Sequence, residues 1–534
     1  MSTFKAENIA YSETGYFSKI ITDYLSQNPL LQPFYSHPSS LNGVKEAIEK
    51  RRGTYTNRQL LVDQLLEQYA SVETSEEVKE NIKALLDENT FTVCTAHQPN
   101  IFTGHLYFIY KIVHTIRLAN TLNRELTDNR FVPVFYMGSE DADLEELGEV
   151  SINGEKYKWE TGQTGAVGRM IVDDGLLKIL KKIKGELAIE PFGKEVIAMV
   201  QECYTKGRTI QDACFCLVNK LFSEYGLLVL MPDNAAYKKV MQAIFEDDIF
   251  SNTPSRIVAE TSGALAKQYK VQAHPREINL FYLADNIRNR IVEHNGMYRV
   301  NDTGIQFSKE TLRKELSEHP ERFSPNVILR ALYQETILPN VIFVGGGGEL
   351  AYWLELKDMF AHYGVPYPVL ALRNSFLLVD EKAGSLVQKL SLIPADIFMA
   401  GEDLIKNIVR RNTKHQLSLE KEKEQVKALY SRIKNTANTV DSTLVKHVDA
   451  LQARLLKTLD NLEKKLLKAE KRRFEAQQNQ VKKMRALLFP GNILQERVDN
   501  FMPYYARWGK EFIKVVYDHS LNFEQAFCII NEQK

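Results

Sequence analysis

Apolar positions recur along this chain with two different periods, and the places where the period changes divide it. Through residues 1 to about 90, "KEAIEKRR", "NRQLLVDQLLEQYASV" and "TSEEVKENIKALLDENT" carry apolar residues three and four apart. That is the spacing of one helical face, so the stretch reads as an N-terminal helical segment joined to a core. Thr74 or Ser75 is placed to cap the last of these helices and Asn89 to close it. "FTVC" is then a short apolar run, followed by the polar turn "TAHQPNIFTGH" and by "IVHTIRLANTL" at helical spacing. "FVPVFYM" is apolar almost throughout, as in a strand covered on both faces of a parallel sheet. Strand, helix and strand in this order make the unit of a doubly wound fold.

The same rhythm continues to about residue 400, with two interruptions. "SINGEKYKWETGQTGAVGRMIV" alternates polar and apolar residues between glycine turns, which predicts a β-rich insertion near 151–200 that begins as a hairpin. "PREINLFYLADNIRNRIVEHNGMYRVNDTGIQFS" predicts a second β-rich insertion near 255–325. Residues 91–400 thus read as an α/β, Rossmann-like parallel-sheet core with two connecting insertions. Residues 415–488 differ, being rich in Lys, Glu, Leu and Gln. Leu444, Val448, Leu451, Leu455, Leu459, Leu462 and Leu466 recur at spacings of three and four, the seam of a coiled coil. "NTANTVDST" breaks the pattern, Asp441 is a plausible N-cap, and an antiparallel α-helical hairpin follows. Its second helix, taken to Leu488, would be about 70 Å long. So long an apolar stripe requires the hairpin partner or a second subunit to cover it, and a homodimer through the coiled coil is expected. Residues 490–534 should return to the core.

A formal charge of +0 changes the picture by removing a general polyanion binder, so no nucleic-acid partner is expected. No run approaches the ~18 apolar residues that span a bilayer, and "MSTFKAENIAYSETGYFSKI" is not a signal peptide. Neither a membrane partner nor export is therefore expected. Cys94, Cys203, Cys214, Cys216 and Cys528 form an odd, sparse set that suits free thiols in the cytoplasm. Cys94 with His97, and Cys214 with Cys216, have ligand spacing, but no second pair lies at a suitable distance, so no metal site is expected.

Ligands of an open parallel sheet bind at the carboxyl ends of the strands. Three loops that fall there carry chemistry. The first offers His97, Gln98, Asn100, Thr103, Gly104 and His105 before a helix N-terminus, which favours an anion. Any of these residues could equally cap the helix or satisfy a buried backbone group. The second, "GSEDADLEEL", offers Glu140, Asp141 and Asp143 to hold a cation or an amine, or to act as a base; it reads equally as the acidic first turn of a helix. The third, "VIFVGGGGELAYW", places Gly345, Gly346, Gly347, Gly348 and Glu349 after a strand, as a cradle for phosphate or carboxylate or as a tight turn. Arg330 and Arg373 flank it and could clamp a carboxylate.

"HQPNIFTGHLYFIYK", "VPVFYMGSEDADLEE", "PREINLFYL", "SPNVILRALYQETILPNVIFVGGGGELAYW" and "LFPGNILQER" resemble, in that order, the bacillithiol biosynthesis cysteine-adding enzymes. The resemblance covers about residue 90 to the end. It implies a Rossmann-type core, a coiled-coil hairpin, a homodimer, and a ligase joining the carboxyl of L-cysteine to the amine of glucosaminyl-malate in the last step of bacillithiol synthesis. The core is similar to class I aminoacyl-tRNA synthetases and pantothenate synthetase, which activate carboxylates, so ATP with Mg²⁺ is a candidate co-substrate. This chain departs from the family pattern at His105, where proline is common, and at Ala142, where histidine is common. On this reading His97, Asp141 and Asp143 are the catalytic candidates. Thr103, Gly104 and the helix N-terminus would surround the activated carboxyl, and the glycine run with Arg330 or Arg373 would receive the malate carboxylates. Two other readings stand beside it: an adenylate-forming ligase or nucleotidyltransferase for another small acid, and an RNA-binding or scaffold module with "KKLLKAEKRRF" on its arm.

Overall fold

Five strands form the parallel sheet at the centre of the computed structural model, in the spatial order Val369–Leu372, Asn340–Gly345, Thr90–His97, Arg130–Met137 and Leu228–Leu230. Counted along the chain this is order 5-4-1-2-3, so the direction of winding reverses between Thr90–His97 and Asn340–Gly345. The structure describes residues 3–413, 415 and 417–533; Lys414 and Gln416, the latter in the expected coiled-coil segment, lie outside them. Both faces of the sheet are covered, which is why its strands are continuous apolar runs. Phe91 and Val93 face a small cluster with Val44, Ala47 and Ile48 of helix Leu41–Arg52, while Cys94 and Ala96 face the main core. The period of two within one strand sorts its residues between the clusters.

The two switch strands do not pair evenly. Asn340 pairs with Thr92 but Ile342 with Val93, so Val341 is an extra residue in a bulge. The bulge is held by side chains. Thr92 donates to Asn340 Oδ1 (3.1 Å), Asn340 donates to Glu335 Oε1 (2.8 Å), and the buried Arg51 donates to Asn340 O (3.0 Å), Glu335 O (2.9 Å) and Glu335 Oε2 (3.0 Å). Beyond it Val344 pairs with Thr95, two residues before Gly346 and His97 respectively.

Several sequence expectations need correction. The N-terminal segment is not helical throughout: Thr3–Ala10 is a strand, paired residue for residue with Ala526–Gln533, which in turn runs parallel to Phe376–Val379. Ser75 caps its helix by accepting from Val78 N–H, but the helix ends at Ala84, and Asn89 instead accepts from the Arg52 side chain. The insertion near 151–200 is β-rich only in the hairpin Glu149–Ile152 and Glu155–Lys158. Helices Asp174–Leu187 and Gly193–Cys203 follow, because "DGLLKILKKIKGEL" has a helical apolar face. The other insertion holds the antiparallel sheet of Leu280–Ala284, Ile287–His294, Met297–Val300, Gln306–Phe307 and Phe323–Pro325. Not all cysteines are free: Cys203 and Cys216 form a disulfide, while Cys94, Cys214 and Cys528 remain buried thiols.

The coiled-coil hairpin is present as helices Glu420–Val440 and Leu444–Lys471. Lys423 meets Asp460 (2.7 Å) and Glu463 (2.6 Å), and Lys434 meets Asp449 (2.8 Å), a register that fixes the helices as antiparallel. The second helix is shorter than its pattern suggests, since a tight turn at Arg472–Phe474 separates it from Glu475–Leu488. Asp441 caps no helix; its carboxylate accepts from Thr443 N–H in the connecting turn. Of the expected seam only Val448 is fully buried, whereas Leu444, Leu451 and Leu462 are exposed.

Replacing Arg51 by Met strands the Glu335 carboxylate in the interior. We expect a loss of about 3–5 kcal/mol in unfolding free energy, measured by urea denaturation.

Candidate functional site

A cleft of about 320 Å³ opens at the carboxyl ends of the two switch strands. Its first wall is Ala96, His97 and Gln98, with Tyr107 and Lys111 from the helix Leu106–Glu125. A second is Tyr136, Gly138, Glu140 and Asp141, after the neighbouring strand. Opposite stand Gly346, Gly347, Gly348 and Glu349, with Arg330, Tyr352 and Arg373. Arg288 and Asn326 come from the antiparallel-sheet insertion, and Arg497 from the C-terminal segment.

The first loop divides its residues between two tasks. Phe102 (φ 51°), Thr103 (φ 67°) and Gly104 (φ 63°) take left-handed backbone in succession and turn the chain sharply. A Cβ on Gly104 would stand 2.8 Å from Asn100 Cβ, so only glycine fits, and the close approach it allows is to Asn100. Asn500 donates to Phe102 O (2.9 Å) and Gly104 O (2.5 Å), Leu106 N–H donates to Asp499 O (2.7 Å), and His105 Nδ1 lies 3.1 Å from Val498 O. Asn100, Thr103, Gly104 and His105 therefore build the turn and stay outside the cleft, while His97 and Gln98 line it.

The other loops divide in the same way. Asp143 caps the helix Leu144–Leu147 by accepting from Glu146 N–H, and Gly345 is buried at the strand end, where a Cβ would come within 2.6 Å of Leu350. Neither lines the cleft. Glu140 and Asp141 do, as do Gly346 to Glu349, Arg330 and Arg373. Arg373 is already forked onto Glu496 (2.9 and 2.6 Å) and lies over the Tyr107 ring.

Each carboxylate on the cleft wall is engaged. Glu349 contacts Lys111 and accepts from Gly346 N–H (2.8 Å). Glu140 contacts Lys238, which also meets Asp233 (3.0 Å), itself forked by Arg169 (2.6 and 2.8 Å). Asp141 accepts from Gln98 Nε2 (3.0 Å) with the Arg288 guanidinium 3.9 Å away. The cations are less evenly matched. Arg330 donates to Tyr352 OH (2.6 Å) and has no carboxylate within ion-pair distance among the described residues, and Arg497 is exposed at the rim. The set therefore suits an anionic ligand better than a bare metal ion.

Burial governs protonation. His97 is held well below its usual pKa, first by desolvation and then by the neighbouring Lys111 charge, so it is neutral at pH 7. Burial also lowers Lys111, against the opposing pull of Glu349, and raises Glu140, against that of Lys238. Sequence reasoning missed Tyr107, Lys111, Tyr136, Arg288, Tyr352 and Arg497. Lys111 alone left a signal, as a lysine inside the apolar run "YFIYKIVHTI".

Residues 4–374 match the model of the family described as "Bacillithiol biosynthesis BshC, N-terminal Rossmann-like domain", and residues 376–532 match its "C-terminal coiled-coil domain". A Flavobacterium psychrophilum protein named "Putative cysteine ligase BshC" is 39% identical over 525 residues, covering 98% of each chain. Its namesake from Flavobacterium johnsoniae is 39% identical over 524 residues, 98% of this chain and 99% of its own. Among solved structures, a putative arginyl-tRNA synthetase from Campylobacter jejuni aligns with 84% of this chain and 98% of its own at 11% identity and a TM-score of 0.24, too slight a likeness to bear on function.

Replacing Glu349 by Gln leaves the buried Lys111 charge without its counter-ion. We expect a loss of up to about 3 kcal/mol, seen as a lower melting temperature that added inorganic phosphate restores more strongly than it shifts the unaltered protein.

Proposed function

The chain belongs to the bacillithiol biosynthesis BshC family, and from that premise we propose that it is a ligase joining the carboxyl of L-cysteine to the amine of glucosaminyl-malate. The amide so formed completes bacillithiol. The observation that carries this reading is the pairing, in one cleft, of a histidine kept uncharged with a surplus of cations centred on Arg330. Amide formation needs a base that is neutral at working pH and positive charge to hold anionic substrate groups.

In the proposed step the amine lone pair attacks the activated acyl carbon. The proton lost by nitrogen passes to His97, and the leaving group departs with its electron pair. Arg330, Arg288 and Arg497 receive carboxylates of the malate moiety. ATP with Mg²⁺ is the co-substrate we propose for activation; when bound it would supply the leaving group, and Lys111 is the cation fitted to its phosphates. The engaged state of Glu140, Asp141 and Glu349 suggests that Mg²⁺ would arrive on the phosphates. The exposed apolar row of the hairpin, Leu429, Ile433, Leu444, Leu451 and Leu462, supports a homodimer formed there. Free cysteine as substrate makes the cytoplasm the compartment we propose.

The reading is tested by mixing the purified protein with L-cysteine, glucosaminyl-malate and ATP with Mg²⁺, and weighing the products by mass spectrometry while omitting each component in turn. We expect bacillithiol, dependent on all three. Product without ATP would remove the nucleotide and keep the ligase. Product only with another acid would favour a different adenylate-forming enzyme, and no product under any condition would overturn the proposal. Because the neutral form of His97 persists below pH 6.5, kcat/KM should hold through that pH and fall only in more acidic buffer. His97→Gln should lower kcat by roughly 10²-fold or more.

A further inference from the structure

His97 cannot serve as a base unless the right nitrogen is bare, and the structure contains a device that decides which one it is. His97 Nδ1 and Gln98 Oε1 are 2.6 Å apart, and Gln98 Nε2 donates to Asp141 Oδ2 at 3.0 Å. A carboxylate only accepts, so the atom Gln98 turns towards Asp141 must be its NH₂. The amide oxygen is then left facing the imidazole. A carbonyl oxygen also only accepts, so Nδ1 must carry the proton. Asp141 is fixed in turn, since its Oδ1 accepts from Asp143 N–H (3.3 Å) and lies 3.9 Å from the Arg288 guanidinium. The direction of every donor follows from the one group that has no proton to give.

We propose that Asp141 and Gln98 are positioning residues that lock His97 in the tautomer with its proton on Nδ1, leaving the lone pair on Nε2. The lock stands on geometry alone; its catalytic value rests on the reading of His97 as the base. The groups that act on the ring are Lys111 and Arg330, which disfavour imidazolium, His105, which adds to that, and Tyr107, whose ring lies 5.3 Å away. When Nε2 takes the amine proton, the new imidazolium charge strengthens the Nδ1–H bond to Gln98, and Asp141 stands behind Gln98 as a counter-charge. Asp141 thus acts through Gln98 on His97 without itself exchanging a proton.

The test uses the full chain labelled with ¹⁵N-histidine, with the His97 signals assigned by their loss in His97→Gln. We expect the wild-type ring to show a protonated Nδ1 and a bare Nε2. Gln98→Met removes the acceptor and Asp141→Leu lets the amide turn over, so both should populate the Nε2–H tautomer. Both should lower kcat by about 10-fold or more, with KM for either substrate little changed. A glutamate at the relay position accepts whichever way it turns. Gln98→Glu should therefore keep Nδ1 protonated, move the acid limb of kcat/KM to higher pH, and restore the tautomer when combined with Asp141→Leu. An Nε2–H ring in the wild type, or an unchanged tautomer in Gln98→Met and Asp141→Leu, would overturn the lock. Full ligase rate in His97→Gln with the lock intact would support the lock and remove His97 as the base.

Discussion

The bulge between the two switch strands sets the geometry on which the cleft depends. Side chains alternate faces along a strand, so a slip of one residue between Thr90–His97 and Asn340–Gly345 would exchange the buried and outward sets. The guanidinium of Arg51, the Glu335 carboxylate and the Asn340 and Thr92 side chains fasten the register below the bulge. Above it, His97 and Gly346 arrive level with one another on either side of the switch point. A helix that precedes the sheet in sequence therefore fixes, from the opposite end of the strands, where the functional groups stand.

The cleft is assembled from distant parts of the chain by charge as well as by shape. Residues 496 to 500 reach it from beyond the coiled coil. Glu496 neutralises Arg373, Arg497 lines the rim, and Asp499 and Asn500 occupy the backbone groups of the left-handed turn after His97. Arg373, taken by Glu496, organises the wall; Arg330, without such a partner, keeps its charge available. The same residue type in the same cleft thus has two different tasks, and the difference lies in a partner more than a hundred residues away.

This explains what could be read in the sequence. The central strands were legible because a sheet covered on both faces needs unbroken apolar runs, and the loops after them because a parallel sheet exposes its carboxyl ends to ligands. His97, Gln98, Glu140, Asp141, Arg330 and Gly346 to Glu349 follow from position alone. Asn100, Thr103, Gly104 and His105 belong to the same loop, but whether a polar side chain faces a ligand or a backbone depends on what else reaches it. Residues near 500 claim the His105 ring and the Gly104 carbonyl, whereas the Asn100 Oδ1 and Thr103 Oγ1 oxygens are buried without a hydrogen-bond partner. Arg288 and Arg497 gave no local signal for the same reason. The strand Thr3–Ala10 was missed because its sequence, "TFKAENIA", is half polar and becomes a strand only when Ala526–Gln533 lies beside it.

That last pairing has a consequence in time. Thr3–Ala10 leaves the ribosome well before its antiparallel partner Ala526–Gln533, so the strand waits unpaired while the residues between them are made. At about 5–20 residues per second the wait is roughly half a minute to two minutes. Phe376–Val379 waits too, since it pairs with the same final strand. The small sheet can close only once Ala526–Gln533 has left the exit tunnel, after the residues near 500 that support the turn beyond His97. Thr3–Ala10 is therefore held open while the parallel-sheet core and the helical hairpin are both made.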